Sequence, residues 1–218
     1  MTNHKDANLR RMYDKIKADL SSLNLNAAAR FTEYVRLARE DALTDSLTKL
    51  PNRELLLEQG TTRLTQAIGQ SLPIALYLAD IDNFKAVNDR TGFRGVDGYD
   101  GGDLLLEQTG VLLRQSIRPD DVAGRYGGEE FVVLGFNTDE DGAEVMASRL
   151  LERMSRYHDK KTLSMGIATR NPAQKGTTLQ ELIAEANVAL KVAKGTGKDK
   201  FVFYKPGMVA PELPARTN

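Results

Sequence analysis

A chain of 218 residues, 41% hydrophobic and 28% charged, has the apolar mass for one sizeable core plus an appendage. Lys+Arg and Asp+Glu both number 30, so the formal net charge is zero; this argues against nucleic acid as a partner, since phosphate neutralisation needs an excess of basic residues. There is no cysteine, and the two histidines, His4 and His158, stand far apart, so disulfides, thiolate chemistry and a zinc cluster give way to oxygen-held hard cations as the only reasonable metals.

No run approaches the roughly 18 apolar residues that cross a bilayer, and the start Met-Thr-Asn-His-Lys-Asp lacks the apolar core of a signal peptide. A cytoplasmic protein with no membrane span is expected. Residues 9–42 carry apolar side chains at steps of three and four, among them Leu20, Leu23, Ala27, Phe31, Val35 and Ala38. That spacing predicts a helical stalk with one narrow stripe, a candidate for pairing two copies, either as one helix or as two joined near Ser21-Ser22 and Asn24.

Asp45-Ser-Leu-Thr-Lys-Leu-Pro-Asn-Arg53 is a compact junction, with Asn52 placed to cap a helix running to about Ala67. From Leu72 to Asp80 a nearly unbroken apolar run ending in a carboxylate predicts a buried central strand. Asp80 and Asp82 close it, and only one of the two is expected to face a given site. Asn83 to Asp89 predicts a short helical turn carrying Lys85 and Asn88. Gly92 to Gly102 holds five glycines in eleven positions and predicts a flexible loop, after which Asp103 opens an amphipathic helix.

Arg118-Pro-Asp-Asp121 breaks that helix. Val122-Ala123 and Phe131-Val-Val-Leu134 then flank Arg125-Tyr-Gly-Gly-Glu-Glu130, which predicts a β-hairpin with Gly127-Gly128 at its tip and two acids just past it. A helix from Asp139 to Tyr157, a strand from Thr162 to Ala168, a helix from Leu179 to Lys194 and a short strand from Phe201 to Tyr204 follow. Residues 206–218, with three prolines and no periodicity, predict a disordered tail. The order gives an α/β (α+β) layout with the antiparallel hairpin in its centre and helices packed on a mixed sheet.

If Asp80 and Glu129 are sheet neighbours, their carboxylates converge. Like charges so placed raise each other's pKa unless a cation joins them, and with no histidine or cysteine nearby Mg²⁺ or Mn²⁺ is the natural occupant. Lys85, Lys194 and Lys198 offer point charges suited to a triphosphate, and the absence of a P-loop suggests polymerase-like rather than ATPase-like chemistry.

Arg125-Tyr-Gly-Gly-Glu-Glu-Phe131 resembles the signature of the GGDEF family, the diguanylate cyclases, in its Gly-Gly-Glu-Glu-Phe form. Asp45-x-Leu-Thr-x-Leu-Pro-Asn-Arg53, Asp80-Ile-Asp-x-Phe-Lys-x-x-Asn-Asp89 and Ala193-Lys194-x-x-Gly197-Lys198 resemble further family motifs in the right order, so the likeness covers about residues 41–204. The resemblance implies a fold like the palm of nucleotide cyclases and polymerases, with a mixed, mostly antiparallel sheet. It divides the chain into a dimerising segment 1–40, a catalytic domain 41–205 and a tail 206–218. The implied reaction condenses two GTP into cyclic di-GMP across a homodimer paired by its N-terminal helices, with two Mg²⁺ or Mn²⁺ per half-site.

By the same resemblance Asp80, the Ile81 carbonyl and Glu129 hold metal, and Glu130 assists deprotonation of the attacking hydroxyl. Asn88 and Asp103 read guanine; Phe84, Lys85, Lys194 and Lys198 hold phosphates. Arg118 and Asp121, with five residues between Asp121 and Gly127, match an Arg-x-x-Asp product-inhibition motif, to which Arg149 contributes from a partner subunit. Two departures stand out. Lys198 replaces a commoner arginine, which keeps the charge and loses the bidentate fork. Phe93 stands where histidine is usual and about six extra residues precede Gly102-Asp103, so Asp97 and Asp100 compete with Asp103 for the base. The alternatives are an inactive cyclic di-GMP receptor using Arg118 and Asp121, and a cyclase of relaxed base choice.

Overall fold

A computed structural model describes residues 14, 15, 17, 18 and 26–211. The chain separates into two units between Ser46 and Leu47. In the first, helix α1 (Ala27–Leu43) starts at Asn26, whose side chain accepts from the Ala29 N–H at 2.9 Å. Arg36 bridges Glu33 and Glu40 along its surface. Phe31 and Val35, one turn apart, are 69% and 48% exposed, so α1 carries an apolar stripe that its own unit leaves open. Most of the expected stalk before residue 26, and the tail from residue 212, lie outside the described residues.

The second unit holds α2 (Arg53–Gln70), β1 (Ile74–Ile81), the single turn α3 (Phe84–Ala86) running into a π-turn (Val87–Thr91), α4 (Gly98–Arg114), β2 (Val122–Gly127), β3 (Glu130–Phe136), α5 (Glu140–Tyr157), β4 (Leu163–Arg170), α6 (Leu179–Gly195) and β5 (Lys200–Phe203). The strands form one mixed sheet in the order β2-β3-β1-β4-β5. Pairs β2–β3, β3–β1 and β1–β4 are antiparallel and β4–β5 is parallel. The hairpin expected in the centre thus lies to one side, with β2 on the edge; β1, buried along its whole length, is the centre.

Strand parity builds two cores. Ala75, Tyr77, Ala79 and Ile81 of β1 face α4 and α5, among Leu105, Leu113, Met146 and Leu150. Ile74, Leu76 and Leu78 face α2 and α6, among Leu56, Leu64, Leu182 and Leu190. Each such side chain contributes about 1.5–3 kcal/mol on burial. Asp80 belongs by parity to the second face.

Caps fix where the helices begin. Asn52 accepts from Leu55 N–H at 3.1 Å, and Thr178 and Glu181 form a reciprocal capping box at the start of α6. Helix α6 then lies so close to β4 that a Cβ on Gly166 would fall 1.9 Å from the Ala186 carbonyl oxygen. That contact carries the last turn of α6, with Lys194, over the end of β1.

Two local expectations fail. Residues 92–102 are not a loop throughout: α4 begins at Gly98, five residues before Asp103, with Asp97 in the cap position. At the hairpin, Gly127 pairs with Glu130 across a bulge at Tyr126, so the two-residue turn is Gly128-Glu129 rather than Gly127-Gly128. Only Gly128 takes a positive φ, +36°, and Glu129 sits in the turn instead of beyond it.

Candidate active site

Antiparallel pairing sets Asp80 directly opposite Glu130, and facing partners in a ladder share a face. Glu129 lies in the turn, its carbonyl accepting from Ile81 N–H at 3.3 Å, which ties the hairpin tip to the end of β1. Arg125 Nε donates to the Gly128 carbonyl at 2.9 Å and holds the turn from the other side. The sequence singled out no role for Arg125; its place at the head of the Arg125–Phe131 signature was the available signal.

Asp80 is 2% exposed, with Lys194 Nζ 2.6 Å from Oδ2. Burial pushes its carboxyl up to about 6; the Lys194 ammonium works against this, and the charges of Glu129 and Glu130 add to it. Three acids therefore act on one another here, and the Lys194 ammonium that meets Asp80 sits on a flexible stem. That donor set suits a hard divalent ion: a buried carboxylate, a second acid on a turn, and backbone carbonyls. Among the described residues no three histidine, aspartate or glutamate side chains form a closed cage, so such an ion would need oxygens from substrate or water to complete its shell.

Asp82 has a different fate. Residues two apart on an unbroken strand share a face, but β1 ends at Ile81 and the chain turns away. Asp82 accepts from Thr162 Oγ1 and Ser164 Oγ, each at 2.7 Å, and from Asp199 N–H at 3.1 Å, so it fastens β1 to β4 and to the entry of β5. Only Asp80 faces the acids of the hairpin. Lys198 Nζ donates to Asn83 Oδ1 at 2.7 Å, so Lys194 in the last turn of α6 and Lys198 just beyond it both reach back to the exit of β1. Lys85 lies on the exposed side of α3.

Phe84, Asn88 and the start of α4 come together. A Cβ on Gly102 would fall 1.9 Å from Asn88 Oδ1 and 3.2 Å from the Phe84 ring. Asn88 Oδ1 is buried with no hydrogen-bond partner. Asp103, next to Gly102, is exposed, whereas Asp97 stands at the N-cap position without a capping hydrogen bond from its side chain and Asp100 lies in the first turn. The contact with Asn88 thus favours Asp103 over the other two as its neighbour. Phe93 is buried against His158, rings 6.3 Å apart and nearly parallel, so an aromatic stack fills the place after Gly92.

A second group lies where α4 meets β2. Both carboxylate oxygens of Asp121 are occupied by backbone, Oδ2 by Arg118 N–H at 2.8 Å and Oδ1 by Phe136 N–H at 3.0 Å. Arg149 donates to the Ser116 carbonyl at 2.6 Å. Burial pushes the Tyr77 hydroxyl up; Asp121 adds to that, and Arg118 and Arg149 oppose it. The three residues therefore share one electrostatic neighbourhood within a single subunit.

The family described as "Diguanylate cyclase, GGDEF domain" matches residues 42–200. The bifunctional diguanylate cyclase/cyclic di-GMP phosphodiesterase MucR of Pseudomonas aeruginosa is 34% identical over 202 residues, which is 90% of this chain and 28% of MucR. The probable diguanylate cyclase DgcT of Escherichia coli is 33% identical over 77% of this chain and 37% of its own length. The chain thus spans between a quarter and two fifths of these relatives. The coiled coil and GGDEF domain of DgcB from Caulobacter crescentus, solved with c-di-GMP, shares the fold with a TM-score of 0.72 at 23% identity, over 88% of this chain and 98% of that one. Among the described residues no helix is long and apolar enough to cross a membrane. With the signature turn on the hairpin, its partner acid on β1 and a family match over most of its length, the chain belongs to the GGDEF-domain family of diguanylate cyclases.

Proposed function

We propose that the protein is a cytoplasmic diguanylate cyclase that condenses two GTP into cyclic di-GMP and two pyrophosphates. The observation that carries this is the pairing of Asp80 with Glu130 beside Glu129, under the Lys194 ammonium. Asn88 and Asp103 orient the guanine, and Lys194 and Lys198, with Phe84 and Lys85, steady the phosphates. Glu130 takes the proton of the 3′-hydroxyl as its oxygen bonds to the α-phosphorus of the facing GTP and the bond to pyrophosphate breaks. Asp80, the Ile81 carbonyl and Glu129 would hold divalent ions, which supply charge neutralisation to the triphosphate when bound.

Each domain offers one nucleotide, so the reaction needs two domains face to face. The open stripe of Phe31 and Val35 on α1 supports residues 1–40 as the segment that pairs them, ahead of a catalytic domain 41–205 and a tail 206–218. Arg118, Asp121 and Arg149 form the site for product inhibition. Asp121 acts there by fixing the backbone from which Arg118 projects, its own oxygens being filled.

The test is incubation with GTP and Mg²⁺, with the product's mass measured. Cyclic di-GMP is expected, with its formation slowed by added product in the wild type and not in Arg118→Ala. Binding of cyclic di-GMP without GTP consumption would replace the cyclase by a receptor. A variant of the reading is relaxed base choice, in which mixed GTP and ATP would yield adenine-containing products as well.

A further inference from the structure

Between α4 and α5, on the sheet face away from Asp80, lies a cleft of about 310 Å³. The cyclase reaction makes no use of it. Val111, 42% exposed, and Tyr157, 52% exposed, give it open apolar walls, and Leu112 floors it. Arg94 and Arg153 reach it from opposite sides, and no acidic side chain lines it. Arg94 donates to the Tyr157 carbonyl, and Arg153 to the Gln115 carbonyl, Gln115 Oε1 and Ser116 Oγ. All these acceptors are neutral, so among the described residues neither guanidinium meets a counter-charge at the cleft.

His158 supplies the independent observation. It lines the cleft, is 4% exposed, and neither ring nitrogen has a hydrogen-bond partner. Burial and the Arg94 charge hold its pKa down, which keeps the ring neutral at pH 7, with one donor and one acceptor to offer. The carbonyls of Gln108, Arg153 and Met154 are near enough to pull the other way but stand outside hydrogen-bonding geometry. A buried polar group left so is costly, and native proteins seldom leave one without a purpose.

We propose that this cleft is a binding site for a small aromatic anion, a phosphate or carboxylate on a flat ring. The anion lies between Arg94 and Arg153; the ring lies on Val111 and Tyr157, with His158 in the cleft wall. The size of the cleft, at the low end for ligand pockets, restricts the occupant to a single ring system. The glycine-rich segment acquires a role in this way, since it delivers Arg94, held at φ +50°, and stacks Phe93 on His158.

The chain has only two histidines, so in a His4→Asn background the ring signals of His158 report the site alone. Phenyl phosphate is expected to shift them saturably, with benzyl alcohol and inorganic phosphate each binding at least about tenfold more weakly, because each lacks one half of the recognition. Arg94→Gln should weaken phenyl phosphate by about tenfold or more. Val111→Trp, at a half-open helix position, should fill the cleft and abolish binding with an unchanged melting temperature, which keeps the test decisive if Arg94→Gln folds poorly. No saturable shift with phenyl phosphate or benzoate, equal affinity for the neutral alcohol, or indifference to Val111→Trp would overturn the proposal. None of these readouts depends on turnover of GTP.

Discussion

Gly92–Gly102 and Gly127–Gly128 are the two glycine-rich stretches of the chain, and their glycines are there for different reasons. At the hairpin the conformation matters: Gly128 turns at φ +36°, and a Cβ on Gly127 would meet nothing nearer than 3.9 Å. In the longer stretch Gly92, Gly95 and Gly98 also take positive φ, but at its helical end space matters: a Cβ on Gly101 would fall 2.2 Å from the Val96 carbonyl oxygen, and one on Gly102 1.9 Å from Asn88 Oδ1. One stretch bends the backbone so that two acids reach Asp80; the other thins a helix so that it can lie against its neighbour. A count of glycines marks both as unusual and tells neither story.

The largest expected effect tests the chemistry assigned to the bend. Glu130→Ala should lower cyclic di-GMP formation by about 10²–10⁴-fold, as for loss of a general base, and Glu129→Ala should do so through metal binding. Product mass from GTP and Mg²⁺ reads both, with circular dichroism as the folding control. Normal turnover in either variant would leave the hairpin as a turn with a solvated acidic edge.

Legibility follows the same division. Periodicity announced β1, α2, α5 and α6 because each is long and apolar on the face it buries, and the capping residues Asn52 and Asp139 stood where the helices begin. The acids at Asp80 and Glu129-Glu130 were legible since strand ends and a hairpin turn are local features. Sheet order was not local: nothing in the hairpin says that β3, rather than β2, pairs with β1. The helical start at Gly98 was hidden because glycine opposes helix formation by about 1 kcal/mol per residue, and only packing at Gly101 and Gly102 overrides it. The cleft at His158 was equally hidden, since Arg94 and His158 lie far apart in sequence.

The pressure of the hairpin acids on Asp80 can be measured as stability. Its folded value of about 6 lies above the free value of 3.8, so the folded state binds the extra proton between those limits. Protonation of Asp80 therefore stabilises the fold. That contribution is complete below about pH 4 and is lost as pH rises through 6. In chelator, wild type should lose about 2 kcal/mol relative to Asp80→Asn between pH 4 and pH 7, from urea denaturation. The loss should shrink when Glu129 and Glu130 are both changed to glutamine; an unchanged loss would mean that burial alone acts.

Gly101→Ala comes next, with about 1–3 kcal/mol lost because its clash is with backbone that cannot rotate away. Gly102→Ala should be milder in stability but should raise the KM for GTP, as the displaced side chain is that of Asn88. If Gly101→Ala melts like wild type, the close approach at α4 is not what those glycines serve.

The smallest effects separate the two hairpin glycines. Gly128→Ala puts a Cβ on a residue at positive φ, which costs about 1 kcal/mol, while Gly127→Ala enters open space at an ordinary strand conformation and should stay within about 0.5 kcal/mol. Thermal midpoints would show that difference directly. Equal losses at both positions would mean that the turn is Gly127-Gly128 after all. Glu129 would then stand past the turn, on the strand, and its carbonyl could not make the bond to Ile81 that brings the hairpin tip to Asp80.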